Sequence, residues 1–373
     1  MQVEEFVEIL GADFYTGVPD SLLKPLCNYL LLTYGDDTNH HIIAADEGTA
    51  AAIGAGYYLA TGQIPVIYLQ NSGEGNLINP IASLLHPSVY GIPVLFVIGW
   101  RGEPGIKDAP QHMSQGAKTL PLLECMDIPY FVLKQETKVS YLREALGNFR
   151  QLFQQGRSCA IVVEKGVFAQ EKHLKYKNCY SMTREQAIET ILRHIGENAI
   201  IFSTTGKTSR ELFELREKRQ ESHSSDFLTV GSMGCTSSLA LGFSLQRPDK
   251  EVYCLDGDGA AIMRLGAMSV IGKTKPKNLI HILLNNEAHE SVGGLPTAGN
   301  CTDFTEVAHA CGYTIVKKVR TSKELGEAID IFRETQELCF LEVDCAIGSR
   351  ENLGRPKITP WESKKIFMEQ IKL

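Results

Sequence analysis

The sequence has no CxxC pair and no cluster of histidine and cysteine at zinc-ligand spacing. Its ten cysteines, at 27, 125, 159, 179, 235, 254, 301, 311, 339 and 345, are scattered. That excludes a zinc ribbon and a disulfide framework, and the cysteines inside apolar runs read as small core residues of a reduced protein. No run of about eighteen apolar residues occurs, which excludes a membrane-spanning helix. There is no excess of positive charge either: 37 Lys and Arg stand against 44 Asp and Glu, for a net charge of -7 and a pI near 5.9. Neither nucleic acid nor an anionic membrane is therefore an expected partner, and an anionic substrate has to be met by locally placed cations. The N-terminus, Met1-Gln2-Val3-Glu4-Glu5, has no basic segment ahead of an apolar one, so the expected location is the cytoplasm. No strand-like run leads into G-x-G-x-x-G with an acid about twenty residues on, which removes a plain dinucleotide-binding dehydrogenase.

What the sequence does have is a regular succession of short apolar runs. They fall at residues 64–69, 93–98, 130–133 and 160–163, then at 199–202, 227–230, 252–255, 279–284, 313–319 and 340–343, each separated by enough chain for a helix. Continuous apolar runs of this length suit parallel strands buried on both faces. Alternating with helices, they predict two doubly wound parallel-sheet α/β domains, and 373 residues suffice for two full cores. Residues 168–182 are polar, carry Lys172, Lys175 and Lys177, and lead into Thr183-Arg184-Glu185-Gln186, a capping-box pattern. The predicted domains are 1–167 and 183–373, joined by the linker 168–182. Residues 348–357 read as an irregular, solvated arm.

The chemistry concentrates at two strand ends. Gly257-Asp258-Gly259 follows the apolar run 252–255, and Asn285-Asn286 follows the run 279–284, with one crossover helix's worth of chain between them. A βαβ unit of that size puts the C-terminal ends of its strands side by side, where open α/β sheets bind ligands. Asp258 and Asn286 would then supply two of the hard oxygens that Mg2+ prefers, the rest of its shell being phosphate oxygen and water. Gly257 and Gly259 allow close backbone approach to a diphosphate, and a helix beginning near Ala260 would offer it unpaired amides. In the first half, Asp46-Glu47-Gly48-Thr49-Ala50-Ala51 follows the strand-like residues 41–45 and opens a small-residue helix.

Taken together, these two signatures resemble the thiamine diphosphate-dependent enzymes, and the resemblance extends over essentially the whole chain. It implies a pyrimidine-binding N-terminal domain and a diphosphate- and Mg2+-binding C-terminal domain, with no middle domain between them. Glu47 matches the glutamate that hydrogen-bonds the cofactor's pyrimidine N1′, and it is expected in a poorly solvated pocket with a raised pKa. Met233, in Gly231-Ser232-Met233-Gly234, matches the apolar residue that keeps the cofactor bent. Thr204-Thr205-Gly206-Lys207 resembles the loop that donates to the diphosphate, and Ala288 matches the backbone-carbonyl metal ligand. The family's pyrimidine and diphosphate half-sites face each other across a subunit boundary, which implies a homo-oligomer.

Gly17-Val18-Pro19-Asp20-Ser21, Gln111-His112, residues 99–112, 204–210, 231–234 and 289–294 are similar to the 2-keto acid decarboxylases of that family. The resemblance implies an anionic 2-keto acid substrate, 3-phosphonopyruvate before its sulfonate counterpart, sulfopyruvate. His112 and Asp20 or Ser21 are the expected proton donors, although Pro19-Asp20-Ser21 equally fits a turn or N-cap. Only one histidine stands where decarboxylases have a pair. Arg101, Lys107, Lys207 and His289 are the candidate substrate contacts. A protein that binds thiamine diphosphate without turnover is a further alternative, against which Glu47 argues.

Overall fold

The computed structural model describes residues 1–169 and 176–371, so Lys172 and Lys175 of the predicted linker lie outside the described residues. The chain divides into two compact units, Met1–Leu174 and Lys175–Leu373. In the first unit, strands β1 (Tyr15–Gly17), β2 (His41–Ile43), β3 (Val66–Gln70), β4 (Leu95–Gly99), β5 (Tyr130–Leu133) and β6 (Cys159–Val163) form one sheet in the order β2-β1-β3-β4-β6-β5, every pairing parallel. Residues of β3, β4 and β6 are buried on both faces, which is why they read as unbroken apolar runs. The helix Val139–Gln154 seals one face through Leu142, Leu146 and Phe149, spaced as one helical stripe.

In the second unit, β7 (Ile200–Ser203), β8 (Asp226–Leu228), β9 (Val252–Gly257) and β10 (Leu279–Asn285) are joined by a small antiparallel pair, β11 (Ala288–His289) with β12 (Leu295–Pro296), and then by β13 (Ile315–Val319) and β14 (Cys339–Asp344). The six-stranded sheet runs β13-β14-β10-β9-β7-β8. Counting the strands of this sheet from one to six along the chain and reading from the β8 edge reproduces the order of the first sheet. Both sheets therefore reverse at the same place, between their first and third strands, and each opens a crevice at the C-terminal ends of that pair.

The predicted capping box is present: Thr183 Oγ1 accepts from Gln186 N–H, Gln186 reaches back to Thr183 N–H, and the helix Arg184–His194 follows. One boundary is corrected and one strand is new. The helix expected near Ala260 begins at Asp258 itself. Strand β1 has no counterpart among the predicted runs, because three residues carry no period; it is fixed by pairing with β2 and β3, and at Gly17 a Cβ would overlap the Tyr68 carbonyl. Residues 348–357 are irregular and mostly exposed, yet anchored at several points. Arg350 pairs with Glu185 and Glu214, Arg210 donates to the carbonyls of Leu353 and Gly354, and a final helix, Pro360–Ile371, buries Phe367 against Phe202, Phe227 and Phe243.

Candidate active site

In the second unit the crevice lies between the ends of β7 and β9. Asp258 is the first residue of the helix Asp258–Met263 and is 3% exposed. Its carboxylate accepts from the Thr297 hydroxyl; burial pushes its pKa up to about 6, against the opposing effect of that bond and of the nearby backbone amides of Gly259 and Asn286. The nearness of the Asn286 amide to Asp258 brings the two predicted ligand residues together. Asn285 stabilises the strand end from behind: its Nδ2 donates to buried Glu342 at 2.9 Å, and its Oδ1 accepts from Glu287 N–H at 3.1 Å, where the chain turns through a positive φ of 60°. Asn286 Oδ1 accepts from Ala288 N–H at 3.3 Å, and its Nδ2 donates to Glu290 at 3.1 Å.

The opposite wall is the turn after β7. Ser209 Oγ donates to the Thr204 carbonyl at 2.7 Å, Thr204 Oγ1 is buried with no partner among the described residues, and Gly206 adopts φ +94° directly before the helix Lys207–Arg219. Thr205 and Gly206 are half-buried. Burial lowers the Lys207 pKa, and its Nζ donates to Ser349 Oγ at 2.6 Å. Met233 and His289 both lie beside Gly259: a Cβ there would stand 3.1 Å from the His289 ring and 3.2 Å from the Met233 methyl. Burial pushes the His289 pKa down to about 4, leaving a neutral imidazole. The buried oxygen set and the close approach at Gly259 fit a hard cation with a diphosphate.

In the first unit Asp46 caps the helix Glu47–Thr61 by accepting from Thr49 N–H. Glu47 is 5% exposed and receives a 2.6 Å hydrogen bond from Asn76 Nδ2. Gly73, after β3, packs flush against its carboxyl, where any Cβ would overlap it. Asp20 follows β1 and is 1% exposed. Its Oδ2 accepts from the N–H of Leu22 and Leu23, its Oδ1 has no partner among the described residues, and burial pushes its pKa up to about 6.

Arg101, a candidate substrate contact, makes a bidentate pair with Asp108 at 2.6 and 2.7 Å and donates to Ser21 Oγ at 2.7 Å. The guanidinium beside Asp108 holds that carboxyl well below the usual range, with a smaller contribution from His112. His112 sits in the first turn of the helix Pro110–Gly116 and is half-buried; Lys107 is exposed. Asp20, Ser21, Arg101, Asp108 and His112 thus share one neighbourhood at the crevice of this unit.

Asp108, Asn76, Gly73, Thr297 and Glu290 were missed in the sequence reading. Asn71-Ser72-Gly73 directly after an apolar run is a turn signal that marks a strand end at the crevice. Thr297, distant from Asp258 in sequence, has no such signal.

Residues 2–120 match the family model for the thiamine pyrophosphate enzyme N-terminal TPP binding domain, and residues 204–343 match that for its C-terminal TPP binding domain. The phosphonopyruvate decarboxylase of Streptomyces viridochromogenes is 34% identical over 375 residues, covering 96% of this chain and 91% of its own. That of Streptomyces hygroscopicus is 34% identical over 381 residues, covering 96% and 90%. The sulfopyruvate decarboxylase of Methanosarcina acetivorans is 28% identical over 399 residues, covering 99% and 97%. With both cofactor-binding domains in order and the likeness running nearly end to end, the chain belongs to the thiamine pyrophosphate (thiamine diphosphate) enzymes, among their 2-keto acid decarboxylases.

Proposed function

We propose that the protein catalyses the thiamine diphosphate- and Mg2+-dependent, non-oxidative decarboxylation of 3-phosphonopyruvate to phosphonoacetaldehyde and CO2, as a step of phosphonate biosynthesis. The observation that carries the chemistry is the buried Glu47 carboxyl, held between Asn76 and Gly73. A site that merely stored the cofactor would have no need of that acid. The likeness to the Streptomyces enzymes supports the substrate.

In this reading Asp258, the Asn286 side chain and the Ala288 carbonyl hold Mg2+, and Thr204, Thr205 and Gly206 face the diphosphate, with the N-terminus of the following helix favouring its charge. Met233, Gly257, Gly259 and Ala260 would line the cofactor's binding surface. When bound, thiamine diphosphate would supply the sink for the electron pair left behind as CO2 departs. Glu47 would share a proton with the pyrimidine N1′. Asp20, whose pKa of about 6 keeps part of the population protonated near neutrality, donates a proton to the reacting carbon, with Ser21 and His112 beside it. Lys207 and His289 are the substrate-facing groups of the second unit.

One observation favours sulfopyruvate as a second reading. A phosphonate can carry two negative charges and a sulfonate one, and the charge of Arg101 is already offset by Asp108. A homo-oligomer accompanies either reading, since the second unit leaves Leu239, Leu245, Leu265 and Val270 exposed.

The test is CO2 release from phosphonopyruvate and from sulfopyruvate, using protein stripped of cofactor and then resupplied with thiamine diphosphate and Mg2+. Preference for phosphonopyruvate that needs both additions is the expected result. Preference for sulfopyruvate transfers the assignment to the second reading, and release from neither overturns both.

A further inference from the structure

We infer that Glu290 is a positioning residue for the metal site: it sets the orientation of the Asn286 amide and ties the loop after β10 to the segment Gly348-Ser349. This rests on the reading of Asp258 and Asn286 as Mg2+ ligands and goes beyond it, because Glu290 has no place in that ligand set.

An asparagine amide presents an oxygen on one side and an NH2 on the other, and only the oxygen can ligate a hard cation. The hydrogen-bond partners decide which side faces the metal. A carboxylate can only accept, so Glu290 Oε2, 3.1 Å from Asn286 Nδ2, draws the NH2 toward itself. Ala288 N–H, a donor, lies on the other side and faces Oδ1 at 3.3 Å. The two contacts together leave one orientation of the amide with both hydrogen bonds intact; the reverse would set N–H against N–H and oxygen against oxygen.

The same Glu290 oxygen accepts from Gly348 N–H at 2.8 Å. The next residue, Ser349, receives the Lys207 Nζ from the turn after β7 at 2.6 Å. A Cβ on Gly206 would lie 3.8 Å from Ser291 Cβ, so the β7 turn and the loop carrying Glu290 are neighbours. Gly348-Ser349 therefore links the metal-side wall and the phosphate-side wall of the crevice. Glu290 holds one end of this link and Lys207 the other.

The experiment titrates Mg2+ and, separately, Ca2+ into the full chain stripped of cofactor, in the presence of thiamine diphosphate, and reads binding by calorimetry. It compares wild type with Glu290→Ala, Glu290→Gln and the ligand variants Asp258→Ala and Asn286→Ala. Outer partners of metal ligands typically contribute tenfold to a hundredfold in affinity. Glu290→Ala is expected to weaken Mg2+ at least about tenfold while weakening Ca2+ less, because Ca2+ tolerates irregular coordination and a misdirected amide harms it less. Glu290→Gln, whose amide oxygen still accepts from both donors, should recover most of the Mg2+ affinity. A general loss of folding would weaken both ions alike and would not be rescued by glutamine, and that pattern overturns the positioning role. Mg2+ affinity within twofold of wild type in Glu290→Ala, with Asp258→Ala and Asn286→Ala both impaired, overturns it as well and leaves the metal site standing. Unchanged Mg2+ binding in the two ligand variants overturns the metal reading itself, and this inference with it.

Discussion

Gly73 packs against Glu47 with no space between them: a Cβ on Gly73 would overlap the Glu47 carboxyl, although Gly73 has an ordinary helical backbone that any residue could adopt. The requirement for glycine here is steric, not conformational. Gly73→Ala is expected to displace Glu47 and lower kcat by about 100-fold or more, since small misplacements of a reacting group are costly. The strain of overpacking should cost about 1–3 kcal/mol of stability. Steady-state kinetics and thermal melting measure both. Normal turnover in Gly73→Ala would show that Glu47 tolerates being moved.

Glu47→Gln keeps the size and the bond to Asn76 but loses the shared proton. Turnover should disappear while thiamine diphosphate binding, followed by calorimetry, weakens only modestly. Unimpaired turnover would refute the activating role.

Asp20→Asn removes a proton donor of pKa about 6 without changing shape. The expected loss in kcat is about 100-fold or more, with cofactor affinity retained. In the wild type, protonated Asp20 declines as pH rises through 6, so if its proton is donated in the rate-limiting step the pH–rate profile should bend downward above that pH. The bend should be absent from the residual activity of Asp20→Asn.

Glu74 is 2% exposed, and burial pushes its pKa up to about 8 against the opposing effect of Thr119. Because the folded value lies above the unfolded one, its contribution is fully present below about pH 4.5 and is lost as pH rises through 8, when a charge must sit in the interior. The wild-type melting temperature should therefore fall between pH 5 and pH 9 more than that of Glu74→Gln. Parallel melting curves for the two proteins would contradict the shift.

Arg184 and Glu211 form a buried bidentate pair at 2.6 and 2.8 Å that joins the helices Arg184–His194 and Lys207–Arg219 behind the β7 turn. Glu211→Ala leaves a buried guanidinium without its counter-ion and should cost about 3–5 kcal/mol, whereas Arg184→Met combined with Glu211→Leu should recover most of that loss. Denaturant unfolding of the single and double variants decides between them.

The strands were legible where burial on both faces makes most of their residues apolar, as in β3, β4, β6, β9 and β10. Short β1 was not, since two neighbouring strands impose it. Asp258 and Asn286 could be found because each directly follows such a run, and Glu47 because a small-residue helix follows it. The commitment of Arg101 to Asp108 and Ser21 could not be read from sequence, because a loop arginine looks the same whether it faces solvent, substrate or a carboxylate. Glu290 and Thr297 escaped for a related reason: each is marked only by a side-chain contact with Asn286 or Asp258, and no local pattern reveals such a contact.

By itself, the sequence determined two parallel α/β units, the positions of their strand ends and the chemical type of the groups placed there, because burial periodicity and strand-end motifs are local properties of the chain. The tertiary structure alone decided the common strand order that opens both crevices. It also decided the meeting of Asn286 with Asp258, the pocket Gly73 makes for Glu47, and the burial that moves Asp20 and Glu74 from their ordinary pKa values. Each of these depends on which distant segment stands within a few ångströms, and that is settled only when the chain has packed.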